Sequence, residues 1–292
     1  MPLSLRARMT IPAIIMISLI GLSATACTSQ PSASLSPSMP STNDSSMPGM
    51  GMTTTDGLTD NSDGLTMTSV VSTLTADAAE TSYQFQILGQ DHHAMTSFQA
   101  DQTKLMHFYL IRSDTSQFQH VHPTMARNGT WTASLAPLEP GSYRAYASFV
   151  PAGATNPIVL SKSLAVPGSA SPMPIPTAST ASSVTTADGY RVTVTGDAMM
   201  GMEHPLTVHI SKDGTPVTDL EPYLATYAHL SAFNTRTLAF AHLHPEGTAT
   251  TDHGGPTLTF HALFAEAGDW RLFIQFQIAG RLHTAPVTVM VK

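Results

Sequence analysis

Short segments in which every second residue is apolar, or in which β-branched and aromatic residues dominate, recur through most of the chain beyond residue 80. Turn pairs such as Asn128-Gly129 and Asp213-Gly214 separate them, which is typical of antiparallel strands. The predicted strands are 83–88, 96–100, 105–112, 117–122, 130–135, 142–149 and 158–166, then 190–195, 206–212, 225–233, 238–244, 257–263, 270–278 and 283–291. They predict an all-β chain of two tandem antiparallel β-sandwiches, immunoglobulin-like or cupredoxin-like.

One stretch of the chain occurs twice, at residues 107–123 and 229–245. Both copies have the spacing H-x12-H-x-H-P, in a chain with 13 histidines. The ungapped alignment pairs His107 with His229, His120 with His242, His122 with His244, and Pro123 with Pro245. An internal repeat at this distance predicts a duplicated domain.

Composition divides the chain into segments with different roles. We expect a signal peptide at 1–26, a disordered tether rich in Ser, Thr and Met at 27–69, a first sandwich at 70–166, a Pro/Ser/Thr linker at 167–183 and a second sandwich at 184–292. The tether and the linker have few large apolar side chains, so they cannot bury enough surface to offset the entropy lost on ordering.

The amino-terminal segment predicts export and lipid anchoring. Arg6 and Arg8 precede an apolar run at 11–22, and Ala24-Thr25-Ala26 lies directly before Cys27, the one cysteine of the chain. This arrangement is typical of a lipoprotein signal in which Cys27 is acylated. The alternative is cleavage by the ordinary signal peptidase, which would give a secreted protein.

Charge limits the range of partners. Charged residues make up 11% of the chain, the net charge is -7, and basic residues do not cluster beyond the first eight positions. We therefore expect no nucleic-acid partner. The expected partners are the membrane, reached through the lipid, and a protein that receives or supplies metal.

The repeated histidines are predicted to converge on one face of a hairpin. Residues two apart on a strand share a face, so His120 and His122 point the same way. A tight loop at Asp114-Thr115 would place His107 directly opposite His122, with Cβ atoms about 5 Å apart. The same reasoning places His229 opposite His244 and predicts two metal sites. The alternative is that the histidines only hydrogen-bond to backbone carbonyls.

Softer ligands lie near the second repeat in sequence. Met199, Met202 and His204 form one cluster, interpreted as a ligand set or, alternatively, as an apolar turn. His283 follows the last loop, as a fourth ligand of the second site or, alternatively, as an exposed strand start. Thioether groups are good ligands for Cu(I) and poor ones for zinc, so this cluster favours copper, with zinc as the alternative. The tether adds Met39, Met47, Met50, Met52 and Met67, as further copper ligands or as a spacer of biased composition.

The segments HLHPEG and FAEAGDWRLFIQFQIAGRLHTAPVTV, preceded by FQHVHP, NGTW and GSYRAYASF, resemble the signatures of a family of exported bacterial proteins. Its members carry duplicated HxHP-containing β domains and are labelled secreted or heavy-metal-associated. The Met and His content is also similar to that of periplasmic copper-resistance carriers. The resemblance implies an envelope protein that handles metal.

Three classes of function fit these features. We expect a copper-binding envelope protein for metal buffering, delivery or resistance. A metal-free adhesion or scaffold module is the alternative, and a copper enzyme is a further one. Because the sequence shows no Ser-His-Asp elbow, paired-carboxylate motif or phosphate-binding glycine loop, we expect that the protein is not an enzyme.

Overall fold

The computed structural model describes residues 56–76, 79–178, 182–250 and 252–292. Within these ranges the chain forms nineteen β-strands and no α-helix. No helix in the described part is long and apolar enough to cross a membrane. The signal peptide, Cys27 and the methionines at 39, 47, 50 and 52 lie outside the described residues.

The first half of the molecule is a sandwich of two antiparallel sheets. Its strands are β1 (Asn61–Ser62), β2 (Leu65–Ser69), β3 (Thr81–Leu88), β4 (Phe98–Gln99), β5 (His107–Arg112), β6 (Phe118–Val121), β7 (Thr124–Met125), β8 (Trp131–Leu135), β9 (Gly141–Pro151) and β10 (Ile158–Val166). One sheet has the order β1-β2-β3-β8-β7, and the other has the order β10-β9-β5-β6 with β4 paired to β9. The histidine hairpin β5-β6 forms one edge of the second sheet.

The second half repeats this plan. Its strands are β11 (Ser182–Ala187), β12 (Tyr190–Thr195), β13 (Glu203–Lys212), β14 (Thr215–Pro216), β15 (His229–Asn234), β16 (Phe240–Leu243), β17 (Thr257–Leu263), β18 (Gly268–Ile278) and β19 (Arg281–Val291). One sheet has the order β11-β12-β13-β14 with β17 paired to β13, and the other has the order β16-β15-β18-β19. The predicted all-β fold of two tandem antiparallel β-sandwiches is confirmed.

Each sandwich has its own apolar core between its two sheets. Strand β3 shows the rule: Tyr83, Phe85 and Ile87 are buried, and the residues between them face outward. Trp131 anchors the first core and Trp270 the second, and both are fully buried. The period of two in the sequence therefore corresponds to one buried and one outward face per strand.

The ordered chain begins earlier than the sequence predicted. Residues 65–69, placed in the disordered tether by composition, form β2 and pair with β3. Met67 is fully buried in the first core. Backbone pairing with β3 and the burial of Met67 hold this short strand on the first sheet, although its polar neighbours favour disorder by composition.

A third apolar cluster joins the two halves, which lie within one compact unit spanning Pro48–Lys292. From the first half it contains Tyr109, Ile111, Tyr146, Val159 and the partly buried Phe118, and from the second Phe233, Phe240, Phe273 and the partly buried Leu238. Phe118 stacks on Phe273 with centroids 4.2 Å apart and planes 12° apart. Stacked aromatic pairs add about 0.5–1.5 kcal/mol beyond their buried area.

Polar contacts reinforce this cluster. The hydroxyl of Tyr146 donates a hydrogen bond to the carbonyl of Leu238. The backbone N–H of Phe240 donates to the carbonyl of Asp56 at 2.8 Å. The outward faces of the two histidine-bearing sheets are therefore in contact, and both faces of β5 and β15 are buried.

This contact predicts that the linker is not needed to hold the halves together. If a protease site is inserted after the exposed Ser169 and cleaved, the two fragments should elute together from a sizing column at the position of the intact chain. A matched protein carrying Phe118→Asp and Phe273→Asp should separate after cleavage, because two carboxylates replace the stacked rings. Separation of the otherwise unaltered fragments would contradict the interface.

Candidate metal centre

The two histidine hairpins have the register that the sequence predicted. Phe108 pairs with Val121 in the first, and Leu230 pairs with Leu243 in the second. Continuing each register by one residue brings His107 opposite His122 and His229 opposite His244. The three histidines of each hairpin therefore lie on one face.

Each hairpin brings three imidazoles together. One nitrogen from each of His107, His120 and His122 lies within 4.8 Å of the others, and the same holds for the second triad, His229, His242 and His244. Nδ1 of His107 lies 3.1 Å from Nε2 of His120, and Nδ1 of His229 lies 3.3 Å from Nε2 of His242. The two triads share the same atoms and nearly the same spacing.

The first histidine of each triad is oriented by a backbone carbonyl six residues earlier. Nε2 of His107 lies 3.0 Å from the carbonyl oxygen of Asp101, and Nε2 of His229 lies 3.2 Å from that of Tyr223. A carbonyl oxygen can only accept, so Nε2 carries the proton in both rings. In the neutral rings Nδ1 is then a free lone pair that points at the neighbouring imidazole.

Two tight turns place these carbonyls. Asp101 and Lys104 exchange backbone hydrogen bonds, as do Tyr223 and Thr226. The central residues have positive φ in both turns: Gln102 43°, Thr103 70°, Leu224 53° and Ala225 65°. Two positive φ angles define a type I′ turn, which favours Asn-Gly and costs other residues about 1–2 kcal/mol each. Strain of this kind occurs where a backbone atom must be held in place.

The second histidine of each triad is oriented by a side chain from the other half. Nδ1 of His120 lies 2.7 Å from Oε1 of Gln275. Because an amide oxygen accepts, His120 donates from Nδ1 and its Nε2 lone pair faces His107. Nδ1 of His242 lies 2.8 Å from the hydroxyl of Tyr109, and a phenol oxygen can accept in the same way.

The third histidines supply one further nitrogen each. Nε2 of His122 and Nε2 of His244 are buried and make no hydrogen bond to any described residue. A buried polar atom without a partner costs about 1–3 kcal/mol. That both equivalent atoms share this property points to a common ligand.

Burial keeps the imidazoles neutral. Loss of solvent lowers the pKa of all six below the ordinary value of 6.5, with the charges of neighbouring imidazoles as a lesser cause for most. The pKa falls to about 4 for His122 and for His244. Neutral imidazole is the form that binds metal. A proton is therefore disfavoured where two nitrogen lone pairs face each other, and a metal ion would satisfy both.

The spacing fits a metal ion held by imidazole. With metal–nitrogen bonds of about 2.0–2.1 Å, tetrahedral ligands lie about 3.3 Å apart. The separations of 3.1 and 3.3 Å between the first two nitrogens of each triad need little adjustment, and the third nitrogen lies within 4.8 Å of both. The donor sets would be Nδ1 of His107 with Nε2 of His120 and His122, and the equivalent atoms of the second triad.

One family model matches the chain, at residues 60–160 and 185–292. Its description is "Domain of unknown function (DUF8832)". The chain belongs to this family. One triad lies in each matched segment of this DUF8832 protein, so the duplication found in the sequence is also a duplication of the family's domain. No curated protein matches the chain.

Several solved structures align with this DUF8832 protein at low similarity. The fibronectin(III)-like modules of Clostridium thermocellum CbhA share 11% identity, with 78% of this chain and 92% of theirs covered and a TM-score of 0.20. MtrC from Shewanella baltica OS185 shares 9% sequence identity, with 78% of this chain and 68% of MtrC covered and a TM-score of 0.25. A putative membrane anchored protein from Corynebacterium diphtheriae shares 10% identity, with 79% of this chain and 57% of that protein covered and a TM-score of 0.23. No function is carried over from these matches.

The softer ligands predicted from sequence lie apart from the triads. His204 is on β13 and pairs with Ala262 of β17, in the sheet on the other side of the second core. Met202, just before it, is 47% exposed. Met199 precedes the same strand, beside the bridge between Met200 and Phe264. Sequence proximity to a strand start did not reveal which sheet that strand enters.

His283 also differs from its predicted position as a fourth ligand. It pairs with Phe276, on the face of β18 that points into the second core. Its ring contacts Tyr190 and Phe276, and its Nδ1 lies 2.8 Å from a carboxylate oxygen of Asp188. His229 opposes Gln275 on the opposite face of the sheet. In this DUF8832 protein His283 and the second triad therefore lie on opposite faces of the sheet, so His283 is not placed as a fourth ligand.

Sequence reasoning missed the groups that orient the ligands. These are the carbonyls of Asp101 and Tyr223 and the side chains of Gln275 and Tyr109. Carbonyls leave no mark in a sequence. The two side chains leave a weak trace in the sequence. Tyr109 and Gln275 lie on strands that are apolar along most of their length, and such strands are buried on both faces.

The depressed pKa values predict acid sensitivity of the metal-free protein. Below pH 6.5 these histidines bind protons in the unfolded chain but not in the folded chain. Stability should therefore be full above about pH 6.5 and fall progressively towards pH 4, by about 1.4 kcal/mol for each unit by which a pKa is lowered. Urea unfolding of chelator-treated protein between pH 7.5 and 4.5 measures this loss.

A surface histidine provides the control for that titration. A hydrogen bond that His261 donates to a carboxylate oxygen of Glu246 raises the pKa of this surface histidine. The shift has the opposite sign, and its effect on stability at the surface is small. His261→Ala should leave the acid loss in place, whereas His242→Gln with His244→Gln should reduce it. A stability that is flat between pH 7 and 5 would contradict the buried neutral imidazoles.

Proposed function

We propose that this chain is an extracytoplasmic, lipid-anchored copper-binding protein that buffers, delivers or detoxifies copper. The observation that carries the proposal is the pair of matching triads, each with three imidazole nitrogens within 4.8 Å. A purely structural histidine needs one hydrogen-bond partner per nitrogen. In the first triad the lone pairs of His107 Nδ1 and His120 Nε2 face each other at 3.1 Å instead. The equivalent nitrogens of the second triad lie 3.3 Å apart, and burial disfavours protonation in both.

The donor set supports copper over zinc. Each triad supplies three neutral imidazoles, which suit both metals. Zinc in structural sites takes four ligands, whereas three are a complete set for Cu(I). A monovalent ion also leaves a smaller net charge in a buried site without a carboxylate ligand. The methionines predicted as ligands lie away from the triads, so the proposal rests on the histidines alone.

Location and partner follow from the sequence. The apolar run at 11–22 and the small residues before Cys27 support export and acylation. The resemblance to exported, heavy-metal-associated proteins points the same way. The rings of His122 and His244 are partly exposed although their Nε2 atoms are buried, so a small movement of these rings would let an ion pass to a metal-transfer protein.

Copper binding is tested by metal analysis after dialysis against excess copper. The wild-type protein should retain one ion per triad. His120→Ala with His122→Ala should remove one ion, and His242→Ala with His244→Ala should remove the other, because two lost imidazoles leave an incomplete ligand set. His209→Ala, a histidine that contacts Thr257 away from both triads, should retain the wild-type amount.

Two other results would decide against copper. If all three variants and the wild-type protein retain equal traces of copper, the histidines are structural and the metal-free adhesion or scaffold alternative gains support. If zinc displaces copper at equal free concentrations, the sites belong to zinc.

Membrane attachment is tested separately through Cys27. In cells expressing the full chain, Cys27→Ala should move the protein from the membrane fraction to the soluble extracytoplasmic fraction, because no acyl chain can be attached to alanine. Ser23→Ala, four residues earlier, should leave it in the membrane. Membrane retention of the Cys27→Ala variant would contradict lipidation.

A further inference from the structure

We propose that the two triads form one paired-copper centre, shared between the halves, in which each ion depends on a side chain of the other half. This inference rests on the proposed copper binding and adds that the two ions are held as a coupled pair.

The triads are nearly as close to each other as their own members are. Within the triads, ring centroids lie 4.5–5.6 Å apart. Between the triads, His107 lies 5.4 Å from His242 and 6.3 Å from His229, and His120 lies 5.9 Å from His242. Six imidazoles therefore form one continuous cluster, and ions in the two triads would be immediate neighbours.

The orienting side chains are exchanged between the halves. Gln275 of the second half bonds to His120 of the first triad, and Tyr109 of the first half bonds to His242 of the second. Such partners fix the orientation of an imidazole ligand and strengthen it as a donor, and their loss typically lowers metal affinity about 10- to 100-fold. Each site is therefore complete only while the halves are in contact.

The two exchanges do not follow from the duplication. Under the alignment of the repeats, Tyr109 corresponds to Ser231. The strand registers, in which His107 opposes Ser148 and His229 opposes Gln275, match Ser148 to Gln275. Both serines are buried. The halves thus differ at the two positions whose side chains bond to a histidine of the other half. This difference indicates that the two orienting contacts arose after the duplication.

Charge limits the ions that such a pair can hold. Coulomb repulsion scales with the product of the charges, so two Cu(I) ions repel each other about a quarter as strongly as two divalent ions at the same separation.

The test is an anaerobic titration of the mature chain with Cu(I), in competition with a chromophoric Cu(I) chelator. Gln275→Ala lies in the second half but should lower the Cu(I) affinity of the first triad by about 10- to 100-fold. Tyr109→Phe, which keeps the ring packed, should lower the Cu(I) affinity of the second triad. Gln277→Ala is the matched control, since Gln277 lies on the same strand and bonds to Glu221 instead.

A second measurement detects the pairing itself. After loading with one and then two equivalents of Cu(I) and brief oxidation of the bound ions to Cu(II), the electron paramagnetic resonance spectrum should show dipolar broadening that appears only in the doubly loaded protein. The variant His242→Ala with His244→Ala should bind one ion and show no broadening.

The outcomes separate the two proposals. If the wild-type protein binds no copper in either titration, the proposed function fails. If it binds two ions but Gln275→Ala and Tyr109→Phe behave like Gln277→Ala, or the spectrum at two equivalents is that of isolated ions, copper binding stands and the paired centre is overturned.

Discussion

The contact between the outward faces of the two histidine-bearing sheets is the interaction on which the site depends. It combines an aromatic cluster, in which Phe118 stacks on Phe273, with six buried or half-buried imidazoles beside it. Aromatic rings tolerate burial without partners, whereas imidazoles need a hydrogen bond or a ligand on each nitrogen. The aromatic cluster therefore keeps water away from the imidazoles. Their ring nitrogens must then find hydrogen-bond partners or ligands within the contact.

Much of the site was accessible from the sequence because a hairpin is a local structure. Its loop fixes its register, and the register fixes which residues share a face. The positions of His107, His120 and His122 followed from these two rules, and so did those of the second triad. The two-sandwich fold followed from the period of two and from the repeat.

What the sequence did not reveal depends on contacts between distant segments. Met67 enters the first core from a polar stretch, and His283 turns into the second core to meet Asp188. Neither is encoded by neighbours in the chain. The contact between the halves leaves one trace, since β5 and β15 lack the polar alternation of strands with one face in solvent. A strand without alternation indicates burial on both faces but does not identify the partner.

The differences between the two halves explain why one side chain from each half orients a histidine of the other. The ring of Tyr109 stacks on His120 of its own half at 4.4 Å, and its hydroxyl reaches His242 of the other. A second tyrosine in place of the fully buried Ser231 would need room for another ring in a closely packed interface. Gln275 reaches His120 with a thinner side chain instead. Duplication gave two matching histidine triads, and divergence of the residues around them gave each half a side chain that orients a histidine of the other.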